Sequence, residues 1–349
     1  MSWRIPAYVL VSFLSAYLTF LLIPPIKAFC EKRGITDKPG PRKIHSYPIP
    51  RLGGVSFVIA FTVSVWLGFI ANSRLWFDNW VGVTGILLGG IVIFVLGLLD
   101  DLKNLSPVIK FSWQIFAALI PILCGVRMEF LNIPYYEVIN LGFWGIPLSV
   151  LWIVAITNTF NLLDGLDGLA SGIGAISALT FVVLGASLNL PLASLLAAGI
   201  LGVCVGFIKF NFYPAQIFMG DSGALFIGYI LGVLSLLWPK SYASLVMFVP
   251  LLALGLPIIE VLTTTFRRLL TGKKIYVADK RHLFHYLLES GFSHAGVVIF
   301  FYIISLQFSI MAVGFVFGKA NIILVLEAVF IIFIAIFLSR KLKAGGGNG

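Results

Sequence analysis

Runs of about 20 apolar residues, separated by loops whose cations fall on alternate sides, constrain this chain more than any single residue does. Such a run covers the roughly 30 Å of hydrocarbon in a bilayer. No water is available there to satisfy peptide groups, so each run has to be helical. Eleven runs qualify: 6–26, 52–71, 81–99, 109–126, 144–161, 168–187, 190–208, 218–238, 243–265, 296–317 and 321–338. The expected fold class is all-α, a polytopic membrane protein of about 11 transmembrane helices. The 349 residues are expected to form a single domain over 1–349, with a flexible tail from about 340 to 349. Charged residues are 11% of the chain, against about 25% in soluble domains, which excludes a water-soluble globule. No apolar stretch near the N-terminus ends in a cleavage-like site, so the first run is expected to be a retained span.

The basic residues predict sidedness. The first loop holds Lys27, Lys32, Arg33, Lys38, Arg42, Lys43 and Arg51, and the loop after the ninth run holds Arg267, Arg268, Lys273, Lys274, Lys280 and Arg281. Lys103, Lys110, Lys209 and the tail's Arg340, Lys341 and Lys343 fall on the same side. Only Arg4, Arg74, Arg127, Lys240 and Lys319, of 24 Lys and Arg, fall on the other. Cytoplasmic loops carry the excess, so the N-terminus is expected outside and the C-terminus in the cytoplasm. The net charge of +10 then serves orientation and contact with anionic lipid, and no nucleic-acid partner is expected. Cys30, Cys124 and Cys204 lie far apart with no CxxC or Cys/His spacing, so neither disulfide nor zinc is expected.

The acids are sparse, 14 in all, and five gather at one rim. Asp100 and Asp101 follow the third run, Asp164 and Asp167 follow the fifth, and Asp221 opens the eighth. Two carboxylates about 4 Å apart repel by roughly 4 kcal/mol at an effective dielectric near 20, so a cation has to offset them. Hard oxygen ligands without His or Cys suit Mg²⁺, with Mn²⁺ as the alternative. The segment Asn158-Thr159-Phe160-Asn161-Leu162-Leu163-Asp164-Gly165-Leu166-Asp167-Gly168 interrupts an apolar run with amides, acids and glycines. Such polar backbone at membrane depth is tolerated where it lines a wet cavity or is buried in protein. Asn158, Asn161 and Asp164 recur at intervals of three, which puts them on one helix face. Phe218-Met219-Gly220-Asp221-Ser222-Gly223 is a second interruption, just before an apolar helix whose N-terminus favours an anion or the metal an anion brings.

With the pair Asp100-Asp101, the segments Asn158–Gly168 and Phe218–Gly223, and a basic His-containing loop, the chain resembles the polyprenyl-phosphate N-acetylhexosamine-1-phosphate transferases over nearly its whole length. The resemblance implies an enzyme that joins a UDP-activated amino sugar to a polyprenyl phosphate, releasing UMP, with Mg²⁺. Asp100 and Asp101 match the family's paired aspartates, Asp164 that of its Asn-rich motif, and Asp221 its metal-binding aspartate. On this resemblance Asp100, Asp101 and Asp164 are catalytic candidates, and Asp221 and Asp164 metal ligands. Asp167 and Phe218 match uridine positions, Lys110 a lysine near the nucleotide, and Asn158, Asn161 and Asn211 polar positions of the cavity. Lys280, Arg281, His282 and His285 would hold phosphate or sugar oxygens.

Two branches of that family differ in donor. The stretches Asp37-Lys38-Pro39 to Arg51-Leu52-Gly53-Gly54 and Asp279-Lys280-Arg281-His282-Leu283-Phe284-His285 resemble the branch using UDP-GlcNAc, not UDP-MurNAc-pentapeptide. Phe284 stands where the family usually has a further histidine, and Glu260 where an aspartate is usual. The resemblance implies UDP-GlcNAc and undecaprenyl phosphate as substrates, initiation of a cell-envelope polysaccharide (lipopolysaccharide or teichoic acid), a bacterial plasma-membrane location with the site on the cytoplasmic face, and a homodimer as one assembly. An ion-coupled transporter is the competing class. Transporter acids sit near the midplane, often within repeats; here they line one rim and no repeat is visible.

Overall fold

The computed structural model describes residues 4–39, 47–131, 139–237, 254–255, 258–259, 287–288 and 290–317. Among these the chain is helical: α1 (Arg4–Arg33), α2 (Gly54–Ala71), α3 (Ser73–Phe77), α4 (Trp80–Lys103), α5 (Pro107–Leu123), α6 (Gly145–Leu163), α7 (Leu169–Ser187), α8 (Pro191–Asn211), α9 (Gly220–Leu234) and α10 (His294–Val316). Two small antiparallel pairs, Thr36–Asp37 with Ile49–Pro50 and Phe130–Leu131 with Ile139–Asn140, decorate the connections. Among the described residues, seven helices are long and apolar enough to cross a membrane, and α5 and α9 are shorter apolar helices. The run expected at 321–338 and most of that at 243–265 lie outside the described residues.

Helix ends follow local chemistry. Ser106 caps α5, its hydroxyl accepting from the Ile109 N–H, and Pro107 supplies the fixed φ suited to a first turn. Helix α4 does not stop at residue 99 with its apolar run but continues to Lys103, so Asp100 and Asp101 belong to its last turn. They do not follow the helix as the hydropathy implied.

Helix α9 is the centre of the bundle. Every residue from Ser222 to Leu234 is buried, as expected of a helix apolar on all sides. It packs on α4 and α6. The crossing with α4 is close at Gly97, where an added Cβ would lie 2.5 Å from Ser222 Cα and 2.6 Å from Asp221 O. That contact brings the acidic end of α4 against the first turn of α9. On the far side, α2 packs against α8, and α1 covers α8. Ser12 and Ser15 donate to the Ala198 and Gly199 carbonyls at 3.0 and 2.9 Å. Outward residues of α1 such as Leu10 and Phe13 are exposed, the surface a membrane helix shows to lipid. At the end of the bundle away from the acids, Trp66, Phe69 and Trp76 cluster, the two indoles 4.6 Å apart, in the manner of an interfacial aromatic belt.

Candidate active site

The first turn of α9 is held by the carboxylate of Asp101. Its Oδ1 accepts the Asp221 N–H at 2.9 Å and its Oδ2 the Ser222 N–H at 3.1 Å. The early N–H groups of a helix have no partner inside it, so Asp101 satisfies two of them from another helix. Arg51 approaches the same carboxylate at 3.4 Å. Asp101 is 5% exposed, and its bonds commit it to placing Asp221.

Residues 49–54 form a strap across this turn. Phe218 N donates to Pro50 O at 2.8 Å, Gly53 N to Phe218 O at 3.0 Å and Gly54 N to Met219 O at 2.8 Å. At Gly220 φ is +69°, and an added Cβ would lie 2.3 Å from Arg51 O and 2.5 Å from Asp101 Oδ2. Only glycine fits both the conformation and the space.

Asp221 faces polar groups from two further helices. Asn161 Nδ2 donates to its Oδ1 at 2.9 Å, and Lys110 Nζ to its Oδ2 at 2.7 Å. The Lys110 ammonium also pairs with Asp100, whose other oxygen accepts Leu105 N–H at 2.6 Å. One lysine therefore bridges two carboxylates from different helices. Asp164 caps the end of α6. Burial first, then the charges of Asp221, Asp101 and Asp167, push its carboxyl well above the usual carboxylate range. A carboxyl in that position gains from any cation that enters. Among the described residues no three His, Cys, Asp or Glu side chains already converge as a metal cage. A small hard cation often takes one or two carboxylates, with waters and substrate phosphates as its other ligands, and the acids present fit that pattern.

Beside this cluster lies a second platform. Asp167 Oδ2 accepts Ala215 N–H at 2.9 Å, tying the turn after α6 to the loop that carries Phe218. Asn211 is 1% exposed. Its Oδ1 accepts Gly168 N–H at 3.0 Å and its amide donates to Ile217 O at 3.1 Å, so it braces the platform from behind. Asn158 exchanges hydrogen bonds with Gln114, at 2.6 and 3.2 Å. Below that pair an apolar groove of about 560 Å³ opens between α5 and α6, lined by Phe111, Ile115, Leu119, Phe143, Ile146, Pro147, Val150, Leu151 and Val154.

Asp100, Asp101, Asp221, Asn161 and Lys110 thus meet at one point, with Asp164 electrostatically coupled to them. Asp167 and Asn211 both bond the loop 213–218 that leads to Phe218, through Ala215 and Ile217, at the adjoining platform. Lys280, Arg281, His282 and His285, together with Glu260 and Phe284, lie outside the described residues. The roles of two participants escaped the sequence reading. Arg51, expected as an orienting cation and as part of the stretch that marks the branch, pairs with Asp101, and Gln114, an amide within the expected run 109–126, is a polar signal that the motifs do not include.

Residues 83–239, the stretch holding most of this cluster, match the model of glycosyl transferase family 4. A probable undecaprenyl-phosphate N-acetylglucosaminyl 1-phosphate transferase of Bacillus subtilis is 39% identical over 332 residues, covering 93% of this chain and 89% of the relative. The chain belongs to glycosyl transferase family 4. A decaprenyl-phosphate N-acetylglucosaminephosphotransferase of Mycobacterium tuberculosis is 32% identical, covering 84% of this chain and 79% of its own length. A phospho-N-acetylmuramoyl-pentapeptide-transferase of Pelagibacter ubique is 29% identical, covering 84% and 88%. Within the family the chain falls in the branch that resembles the GlcNAc-1-phosphate transferases.

Proposed function

We propose that this protein transfers GlcNAc-1-phosphate from UDP-GlcNAc to undecaprenyl phosphate, giving undecaprenyl-diphosphate-GlcNAc and UMP. The observation that carries the reading is the Lys110 bridge between Asp100 and Asp221 at the head of an apolar groove. A charged site beside a lipid-facing groove suits a substrate with a phosphate head and an isoprenoid tail. The similarity to the B. subtilis protein supports the donor and acceptor.

An oxygen of the lipid phosphate attacks the β-phosphorus of UDP-GlcNAc. The new P–O bond forms as the bond to the bridging oxygen breaks, and UMP leaves with the electron pair. A phosphate monoester has a second pKa of about 6, so at pH 7 the acceptor is mostly dianionic and no strong base is required. In this reading Asp100 orients the lipid phosphate, Lys110 lies near the nucleotide phosphates, and Asp167 and Phe218 receive the uridine. Lys280, Arg281, His282 and His285 would reach sugar or phosphate oxygens. Asp221 and Asp164 would hold Mg²⁺, with Mn²⁺ as a substitute, and the bound ion would neutralise charge on the diphosphate.

Eleven spans with the N-terminus outside put this site on the cytoplasmic face of a bacterial plasma membrane, within one domain over 1–349. In a background lacking native cysteines, Lys103→Cys is expected to resist membrane-impermeant maleimide in intact cells and to react after lysis. Labelling in intact cells would reverse the orientation.

Purified protein in detergent, offered UDP-GlcNAc, UDP-GalNAc and UDP-MurNAc-pentapeptide separately, is expected to release UMP with UDP-GlcNAc and not with the pentapeptide donor. Comparable turnover of the pentapeptide substrate would move the chain to the other branch. Turnover without a sealed vesicle also separates an enzyme from a transporter, which needs two compartments.

A further inference from the structure

Helix α10 starts directly after the basic segment 267–293 and touches the uridine-side platform at two points. The Tyr302 hydroxyl donates to the Gly168 carbonyl, while the Gly168 N–H donates to Asn211. The two peptide groups that flank Gly168 are therefore held by different helices, one through its N–H and the other through its carbonyl. Asp167 immediately precedes Gly168, and its carboxylate is the group that reaches Ala215. At the start of α10 the His294 ring stacks on Tyr213 at 4.7 Å, with 21° between the planes. Tyr213 lies on the loop that also carries Phe218. Neither His294 ring nitrogen has a hydrogen-bond partner among the described residues, so its contact with the loop is made by the ring face.

We infer that Tyr302 is a positioning residue for the nucleotide half of the donor, with His294 as its second anchor. The inference rests on the reaction proposed above. Loosening the backbone at Gly168 would let Asp167, its immediate neighbour, shift, and a shift of Tyr213 would carry the Phe218 loop. The acceptor side uses Asp100 and the groove between α5 and α6, neither of which touches these anchors in the contacts described. The two substrates should therefore respond differently.

The test uses full-length protein with Tyr302→Phe, which removes only the hydroxyl, and the pair His294→Ala and His294→Phe, which removes or keeps a ring. For Tyr302→Phe the KM for UDP-GlcNAc and the Kd for UMP should rise about tenfold, with kcat and the KM for undecaprenyl phosphate within about twofold of wild type. His294→Ala should change in the same direction, and His294→Phe should restore near wild-type values. Unchanged UMP affinity in folded Tyr302→Phe overturns the inference, as does an equal rise in both KM values. A His294→Phe protein as weak as His294→Ala also overturns it, and that pair decides the matter should Tyr302→Phe fail to fold. Wild-type protein that binds UMP without turning over UDP-GlcNAc would defeat the assigned reaction, while the UMP titrations would still judge the anchors. Wild-type protein that does not bind UMP defeats both.

Discussion

Asp221→Asn is expected to fold normally and to lose transfer activity at saturating Mg²⁺. A carboxylate in the first turn of a helix gains roughly 0.3–1 kcal/mol from the helix dipole; the first turn of α9 has no side-chain cap bond, so no cap is lost on substitution. The difference lies in charge. Asp221 faces Lys110 through one oxygen and Asn161 through the other. Lys110 can only donate, but the Asn161 amide can turn over and accept, so the variant's oxygen can keep Lys110 while its NH₂ meets Asn161. If Asp221 ligates the metal, losing its unit charge should add several kcal/mol to the barrier, on the order of 10³-fold in rate. Initial rate against Mg²⁺ concentration, with thermal melting as the folding control, reads this out. A well-folded variant within tenfold of wild type would shift the metal role to Asp164 or Asp100.

Gly220→Ala should damage both stability and turnover. Its φ of +69° disfavours a side chain, and the new methyl would press on Arg51 O and Asp101 Oδ2 at 2.3 and 2.5 Å. Neither neighbour is the free end of a flexible chain. One is strap backbone and the other a carboxylate fixed by two N–H groups. The methyl should thus loosen Asp101 from α9 and displace Asp221. Gly34→Ala is the matched control, because its φ is +68° and nothing lies within 4 Å of the added Cβ. Backbone strain of about 1–2 kcal/mol is common to both; the clash belongs to Gly220 alone. UMP release is expected to fall at least about 100-fold in Gly220→Ala, with a clear drop in Tm, and to change little in Gly34→Ala. Similar behaviour of the two variants would show that the space around residue 220 is unimportant.

The helices were legible because lipid leaves the backbone little choice, and the expected run 168–187 and helix α7 differ by one residue at one end. The rim acids were legible because so few acids are present at all. The division of labour between Asp100 and Asp101 was not legible. Adjacent on one helix, they point to different partners, one to Lys110 and the other to the α9 N-terminus. That choice depends on how closely α4 crosses α9, which no local pattern records. Helix α3 was likewise invisible, since five residues carry too little periodicity.

The strap across α9 has a consequence for how the chain is made. Residues 50–54 leave the ribosome some 165 positions before Phe218 and Met219, the partners of their peptide groups. Ser12 and Ser15 wait longer still, 186 and 184 positions, for α8. During synthesis the first helices must therefore stay loosely associated in the bilayer, leaving a slot into which α8 and α9 later insert. The order of birth and the order of assembly are different in this molecule. Its acidic centre comes into being only when α9, buried from Ser222 to Leu234, arrives, after more than half of the polypeptide has been made.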